Sequence, residues 1–303
     1  MRLHDSTLIL TPTDIANHLA CRHLTQLDRA RLAGERIELR QDPRIDALRH
    51  RGETHEKGSV NSLAAEGLSI TDLRSHDDPA ATLDAMTAGA DVIVQAPLQG
   101  DGLSGRADVL LRIGVPSRLG AYSYEPADTK LARDTRAGTI LQLCAYAALL
   151  DPMQGVLPEH MHVVTPLARE RYRTAHFDAY FRFVRRRLED DLAADPPPAT
   201  YPEPVPHCDV CPYWLHCDRR RRADDHLSLV AGIRKLNVRE LESQSIRTVV
   251  DLAVTGGALP AEPHRGAPLR HAGERLADAT LGTPQRSEFA ARAPRPGWRR
   301  DRS

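Results

Sequence analysis

A chain of 303 residues with 41% hydrophobic content is long enough to bury the core of one large domain, with or without an appendage. Its 41 basic and 41 acidic residues cancel, so any signal for a nucleic-acid partner must be local. No apolar run reaches the length of a membrane span, and the first ten residues lack a secretory signal, so we expect a cytoplasmic protein with no membrane partner. Five cysteines in that reducing compartment suggest metal ligands before disulfides.

The first predicted helix begins at a capping motif. Thr11 can cap the helix, Pro12 suits its first position, and Asp14 closes a capping box. We expect the helix to run through Cys21 to about Leu27, because apolar residues recur along it.

A second helix is predicted from Asp42 to about Glu66, and a short third one from Asp78. The second helix has one apolar stripe at steps of three and four, which consists of Ile45, Leu48, Gly52, His55, Ser59 and Leu63. His55 should therefore point towards the core. Taken alone, such a histidine is more often a hydrogen-bonded core residue than a metal ligand.

Two strands follow, over residues 90–98 and 102–114, around a Gly-Asp-Gly turn. Alternation places Arg106, Asp108 and Leu110 on one face of the second strand. A carboxylate within so apolar a strand is costly to bury unpaired. Asp108 therefore needs a cation, which is either the guanidinium of Arg106 or a metal ion.

The stretch from 122 to 146 combines a strand, a charged loop and a helix. Asp128 and Lys130 share one face of the strand, about 7 Å apart. The helix, predicted over 135–150, carries Gln142 and Tyr146 one turn apart. Two carboxylates and a lysine that converge from adjacent strands are what a metal-dependent phosphodiesterase requires.

Basic residues are concentrated in two places that could contact phosphates. Arg133 and Arg136 lie in the charged loop. A helix predicted over 178–192 follows two pairing strands and carries the run Arg182, Arg185, Arg186 and Arg187. A solvated basic face explains the run as well as a phosphate-binding surface does.

The last part of the chain follows a proline-rich linker at 195–206. Residues 226–256 contain two helical pieces that resemble a helix-hairpin-helix unit, which binds nucleic-acid backbone. Gln244 and Ser245 occupy the turn where that unit has a glycine. Residues 257–303 are rich in Gly, Pro, Ala and Arg without apolar periodicity, and we predict that they are disordered.

Three cysteines, Cys208, Cys211 and Cys217, have the spacing C-x2-C-x5-C. A fourth ligand is needed, and the candidates are the distant Cys21 and the local His207 and His216. A zinc site would most often use a second C-x2-C pair or a local histidine. Three clustered cysteines with one remote cysteine favour a [4Fe-4S] cluster over Zn²⁺.

Taken together, these motifs resemble the RecB-like nucleases of the PD-(D/E)xK superfamily, in the iron–sulfur branch that includes the CRISPR-adaptation exonucleases. The resemblance covers residues 1–250 approximately. It rests on PTDIANHLACRHLTQLD, GRADVLLR, DTKLARDTRAG, LQLCAY and HCDVCPYWLHCDRRRRADDHLSLV. It implies an α/β fold with a restriction-endonuclease-like core, a central mixed sheet flanked by helices, and a helical C-terminal part stapled by an iron–sulfur cluster.

The resemblance also assigns roles. It implies that His55, Asp108, Asp128 and Thr129 hold Mg²⁺ or Mn²⁺, and that Lys130, Gln142 and Tyr146 complete the catalytic set with the two aspartates. Cys21, Cys208, Cys211 and Cys217 match the four cluster ligands in order.

Three segments are thus expected: a nuclease domain over 1–225, a small helical segment over 226–256 and the tail. Asp128 stands where glutamate is common, which is an allowed variant. The downstream exonuclease and helicase regions of the family are absent from this sequence, so a helicase is a potential separate partner. The expected function is hydrolysis of DNA, single-stranded or at ends, in repair or processing. The rival expectation is a non-catalytic nucleic-acid-binding protein with a structural metal site.

Overall fold

The computed structural model describes residues 1–5, 7–132 and 134–255. The predictions for Arg133 and for a disordered segment at 257–303 therefore fall outside the described residues. The strands are β1 (Arg2–His4), β2 (Thr7–Ile9), β3 (Ile70–Asp72), β4 (Val92–Gly100), β5 (Leu103–Ile113), β6 (Ser123–Thr129), β7 (His160–Val164) and β8 (Arg169–Arg173). The helices are α1 (Pro12–Ala20), α2 (Arg22–Leu32), α3 (Pro43–Ala65), α4 (Pro79–Thr87), α5 (Ala137–Gln154), α6 (Asp178–Ala193), α7 (Trp214–Ala223), α8 (Lys235–Ser243) and α9 (Val249–Val254).

The protein is a mixed α/β fold with a six-stranded sheet flanked by helices, in the order β3-β4-β5-β6-β7-β8. Strands β4, β5 and β6 form an antiparallel meander. Strand β7 is parallel to β6 because α5 crosses over between them, and β3 is parallel to β4. In the pairing of β5 with β6, Val109 lies opposite Ala127. The next positions, Asp108 and Asp128, are therefore side by side in the sheet.

Two apolar layers enclose the sheet. The main core contains β4–β7 residues such as Ile93 and Leu110, together with buried residues of α1, α5 and α6. A smaller cluster under α3 contains Val94, Val109 and Leu63. The sheet is thus apolar on both sides, so a charged side chain within it needs compensating partners.

The first predicted helix is two helices, and its predicted continuity is wrong. The capping box of Thr11 and Asp14 starts α1 as expected. Cys21, however, is extended at φ −157° and ψ 104° and separates α1 from α2. Its N–H still donates to the carbonyl of Asn17 at 2.8 Å, and its own carbonyl accepts from Leu24 at 3.1 Å. One extended residue therefore turns the chain while leaving the backbone hydrogen bonds of both helix ends made.

Helix α3 has the predicted ends but not the predicted buried stripe. Leu63 is buried, whereas Leu48 is 49% exposed. Only the C-terminal half of the helix, which includes the half-buried His55 and Ser59, lies over the sheet. The apolar residues of the N-terminal half therefore follow a helical period although this half does not pack against the sheet.

The predicted elements α4, α5, α6 and β4 to β8 agree with the sequence to within a few residues, whereas β1, β2, β3 and α7 were not predicted. Helix α5 begins at Ala137, two residues later than predicted, and ends before Gly155, which adopts a left-handed φ of +72°. Helices α8 and α9 pack through Leu241 and Leu252 into a cluster of their own with Leu227. No helix within the described part of the chain is long and apolar enough to cross a bilayer.

Candidate active site

The centre of the candidate site is the carboxylate pair Asp108 and Asp128. Asp128 is 4% exposed, and the backbone N–H of Thr129 donates to Asp108 Oδ2 at 3.4 Å. Burial raises the pKa of Asp108, and a hydrogen bond with Asp128 and the charge of that neighbour raise it further. The pair therefore resists carrying two negative charges unless a cation joins it.

Lys130 supplies part of that positive charge. Its Nζ lies 2.8 Å from Asp128 Oδ2, and its side chain is 35% exposed. The backbone N–H of Lys130 donates to the carbonyl of Val164 at 2.9 Å, which fixes the end of β6 against β7. The lysine therefore extends from the buried Asp128 to the surface, where a substrate could reach it.

Strand β5 departs from regular alternation around Asp108. Ala107 and Leu110, three residues apart, both belong to the main core, whereas Val109 belongs to the cluster under α3. Strict alternation would not place residues three apart on one face. On the neighbouring strand, Gln95 has a left-handed φ of +54° at the position facing Asp108. This irregularity, which the sequence pattern does not reveal, brings side chains from α3 and α5 to the pair.

The alternative of an ion pair between Arg106 and Asp108 is not what forms. Arg106 donates to Asp77 at 2.6 Å and to the carbonyls of Leu73 and Gln95 at 3.0 and 2.7 Å. Its charge is therefore committed to the β3–α4 connection and the β4 backbone, and Asp108 retains its need for a cation.

Glu56 is a third carboxylate that the sequence reading missed. Its Oε1 accepts from Gln95 Nε2 at 2.8 Å, and Arg74 lies 3.6 Å away. Burial raises its pKa, and the charge of Asp108 contributes in the same direction. Its position next to His55 could have indicated it. When a helix packs on a sheet, residues next to the central contact position can also reach the sheet.

His55 lies at the β7 side of the pair. Its Nε2 is 3.4 Å from the carbonyl of Val164, which is the register partner of Thr129. Within the parts of the chain that the structure describes, no three His, Cys, Asp or Glu side chains are close enough to hold one metal ion. The assignment of His55 and Thr129 as ligands therefore stays a prediction.

Helix α5 contributes one residue directly beside the pair. Burial raises the pKa of Tyr146, and the charges of Asp108 and Asp128 raise it further, so the phenol stays protonated near them. Its hydroxyl donates to the carbonyl of Arg106 at 2.9 Å. Gln142 instead donates to Thr13 Oγ1 at 3.2 Å and faces the start of α1.

The predicted phosphate-binding arginines divide into paired and unpaired ones. Arg182 is ion-paired with Asp178, and Arg185 is 2.7 Å from both Asp101 and Glu189. Arg186 is exposed and makes no ion pair with any residue in the described ranges.

Arg136 lies elsewhere, at the start of α5. Burial lowers the pKa of His207, and the nearby charge of Arg136 adds to the effect. The start of α5 is therefore near the segment that carries the clustered cysteines.

Four cysteines from opposite ends of the described chain line one cavity, which also contacts Trp214 and Arg221. They are Cys21, Cys208, Cys211 and Cys217. All are free thiols. Burial raises the pKa of Cys211 to about 11 and of Cys217 to about 12, and each feels the charge of the other cysteines. Thiols in such a place are protonated and inert unless a metal draws off their protons.

Neighbouring contacts hold the two cysteine-bearing segments together. Leu24 and Leu27 of α2 pack with Tyr213, whose hydroxyl donates to Asp28. The N–H of Arg40 donates to the carbonyl of Pro212 at 2.7 Å. The fold alone thus brings the remote cysteine to the C-x2-C-x5-C segment.

No family model and no curated protein match this chain. Among solved structures, the crystal structure of SSO0001 is 12% identical over 69% of this chain and 85% of its own, with a TM-score of 0.32. A superposition this loose carries no argument about function.

Proposed function

We propose that the protein is a metal-dependent nuclease that hydrolyses phosphodiester bonds of DNA, at single strands or ends, during DNA repair or processing. The observation that carries the proposal is the pair of Asp108 and Asp128 on adjacent strands, in which Asp108 is half-buried and Asp128 buried, with Lys130 2.8 Å from Asp128. Two adjacent carboxylates that no arginine of the described residues neutralises suit a divalent cation with oxygen ligands. The sheet and its flanking helices are compatible with a restriction-endonuclease-like core of the RecB type.

The oxygen-rich carboxylate pair suits Mg²⁺ or Mn²⁺ in chemical type. Asp108 and Asp128 would hold the ion, with His55 and the Thr129 carbonyl as the further ligands that the sequence resemblance implies, and Glu56 would be close to them. A bound ion would polarise the scissile phosphate and lower the pKa of a coordinated water. An imidazole ligand makes Mn²⁺ more acceptable than an all-oxygen site would.

The chain's own groups would do the rest. The ammonium of Lys130 would stabilise the negative charge that grows on the phosphate. Tyr146, protonated and fixed by its bond to the Arg106 carbonyl, would orient the strand at the pair. Gln142 would act beside it, once released from Thr13, as a second orienting group.

The four cysteines suit a [4Fe-4S] cluster better than Zn²⁺. They line one cavity, and three clustered cysteines with one remote cysteine are the pattern that favours a cluster held by four thiolates. A cubane cluster spreads its four thiolates over a larger volume than a single tetrahedral ion does. The cluster would be structural and would join the N-terminal helices to the segment before α7.

Cleavage of labelled DNA tests the proposal. Asp108→Asn and Lys130→Ala should each lower Mg²⁺- or Mn²⁺-dependent cleavage of end-labelled single-stranded DNA by at least about 100-fold, because each removes transition-state charge stabilisation. EDTA should abolish cleavage by the wild type.

Exposed residues provide matched controls: Asp84→Asn and Lys57→Ala should cut like the wild type. A wild type that binds DNA but does not cut it, with or without metal, would favour the rival function of a non-catalytic nucleic-acid-binding protein. Equal cleavage by Asp108→Asn and the wild type would refute the assignment of the site.

A further inference from the structure

Helix α6 presents two aromatic rings to solvent. The rings of Tyr180 and Phe183 are stacked, with centroids 6.3 Å apart and planes 27° apart. Phe183 is 54% exposed and Tyr180 is 36% exposed. In a protein whose aromatic content is only 4%, a stacked exposed pair on a helix is not explained by packing.

These rings are off the helix face that the core uses. The buried residues of α6 include Phe181, Val184 and Leu188, at steps of three and four. Phe183 is two residues from Phe181, which rotates it by about 200° around the helix axis. Its exposure therefore follows from the sequence period and not from a gap in the core.

The surface around the rings is basic. The guanidinium of Arg187 lies over the Phe183 ring at 5.6 Å from its centroid. Arg186, one turn from Phe183, is exposed and unpaired among the residues that the structure describes. The exposed acidic residues next along the helix are Glu189, which is paired with Arg185, and Asp190, one turn beyond Arg186.

Exposed aromatic faces beside arginines that form no ion pair within the described ranges fit one class of partner best, which is a single-stranded nucleic acid. Bases stack on aromatic rings without regard to sequence, and guanidinium groups contact the adjacent phosphates. A protein partner would gain from the apolar rings but not from the positive charge beside them, and duplex DNA has no base face free to stack.

We propose that Tyr180, Phe183 and Arg187 form a stacking platform for single-stranded DNA, which holds the substrate strand outside the catalytic pair. The proposal rests on the nuclease function. It narrows the predicted role of the arginine run, because Arg182 and Arg185 already form internal ion pairs. Base stacking on the rings, and not charge alone, would therefore provide the contact with DNA.

Fluorescence anisotropy with labelled oligodeoxythymidine in EDTA tests the platform separately from catalysis. Phe183→Leu keeps an apolar side chain but removes the ring, and should weaken binding about five- to tenfold. Phe183→Trp should bind as tightly as the wild type, and so should Leu236→Ala, which changes a leucine that is 60% exposed on α8. Binding of a duplex of the same length should not respond to Phe183→Leu.

Unchanged oligodeoxythymidine binding by Phe183→Leu, or no binding by the wild type at low salt, would overturn the platform. A change in sedimentation with unchanged DNA binding would show instead that the rings join copies of the chain. Wild type that cuts DNA while Phe183→Leu binds normally would refute the platform and leave the nuclease intact. DNA binding that depends on Phe183, in a wild type that cuts no DNA, would refute the nuclease function and leave the stacking surface supported.

Discussion

At the scale of single residues, the site is defined by an electrostatic conflict. Asp108 and Asp128 are held side by side by the register of β5 and β6, with Asp128 buried and Asp108 half-buried. Lys130 compensates one negative charge and remains half-exposed. With Glu56 close to Asp108, the described chain places more negative than positive charge here, which is a disposition suited to a divalent cation.

The repulsion between the two carboxylates predicts that the stability of the metal-free protein depends on pH. The pKa of Asp108 is raised above its ordinary 3.8, so the folded chain keeps a proton that the unfolded chain releases as pH rises past that value. Stability in EDTA should therefore fall with rising pH, by at most about 1.4 kcal/mol per pH unit from this group. Asp108→Asn removes the titrating group, and the variant should lose less stability between about pH 5 and pH 8 in urea unfolding.

Glu56, whose pKa burial also raises, should leave a residual slope of the same sign in Asp108→Asn. Identical slopes for the wild type and Asp108→Asn would mean that Asp108 ionises freely in the folded protein. The exposed Asp84→Asn serves as the control, since it changes the charge without touching the pair.

Part of this site was predictable from the sequence. Alternation along two apolar strands indicated that Asp108, Asp128 and Lys130 converge, and the sheet register brings them together. Glu56 was missed because a helical period assigns one face, whereas the strand irregularity at Gln95 draws in the adjacent residue. That irregularity depends on tertiary packing and leaves no local mark in the sequence.

At the scale of elements, β5, α1 and α5 meet at a point where there is no room for a side chain. A Cβ on Gly105 would lie 2.8 Å from Pro12 Cδ and 3.1 Å from Tyr146 Cε1. The first turn of α1 and the ring of Tyr146 therefore rest directly on the β5 backbone. The close approach fixes where Tyr146 lies relative to the carboxylate pair.

Gly105→Ala should consequently be destabilising and should disturb the site together with the fold. We expect a loss of about 1–3 kcal/mol in unfolding free energy, as for other overpacked positions, and slower DNA cleavage. Thermal unfolding and the cleavage assay measure the two effects. Gly114→Ala, where a Cβ would meet nothing within 4 Å, is the matched control. Equal stability of the two variants would contradict the close contact.

At the scale of the whole molecule, the cysteine cavity connects distant parts of the chain. Cys21 at the α1–α2 junction meets Cys208, Cys211 and Cys217 near α7. The sequence resemblance implied this grouping, whereas the spacing alone left His207 and His216 as alternatives to Cys21. The extended conformation of Cys21 was not predicted, because the apolar period continues across it from α1 into α2 and gives no sign of a break.

Purification under anaerobic conditions should yield a brown protein that absorbs near 400 nm and is bleached by dithionite. Cys21→Ala should lose that absorbance and most of its iron, and should unfold at a lower temperature, since cluster binding is linked to folding. Cys144→Ala should keep the colour, because Cys144 is buried in the main core away from the cavity. A colourless wild type that contains stoichiometric zinc would replace the cluster with the Zn²⁺ alternative.

The contact between α2 and the 206–217 segment also dictates an order of folding. The sheet and α5 are built from residues that are neighbours along the chain or one crossover apart, so they can assemble early. The contact of Asp28 in α2 with Tyr213, and that of Arg40 just after α2 with Pro212, join residues separated by more than 170 positions. During synthesis from the N-terminus, α2 must therefore wait with an uncovered apolar face until nearly all of the described chain has emerged. The nascent protein is most exposed to aggregation during that interval, and this end of the molecule is completed last.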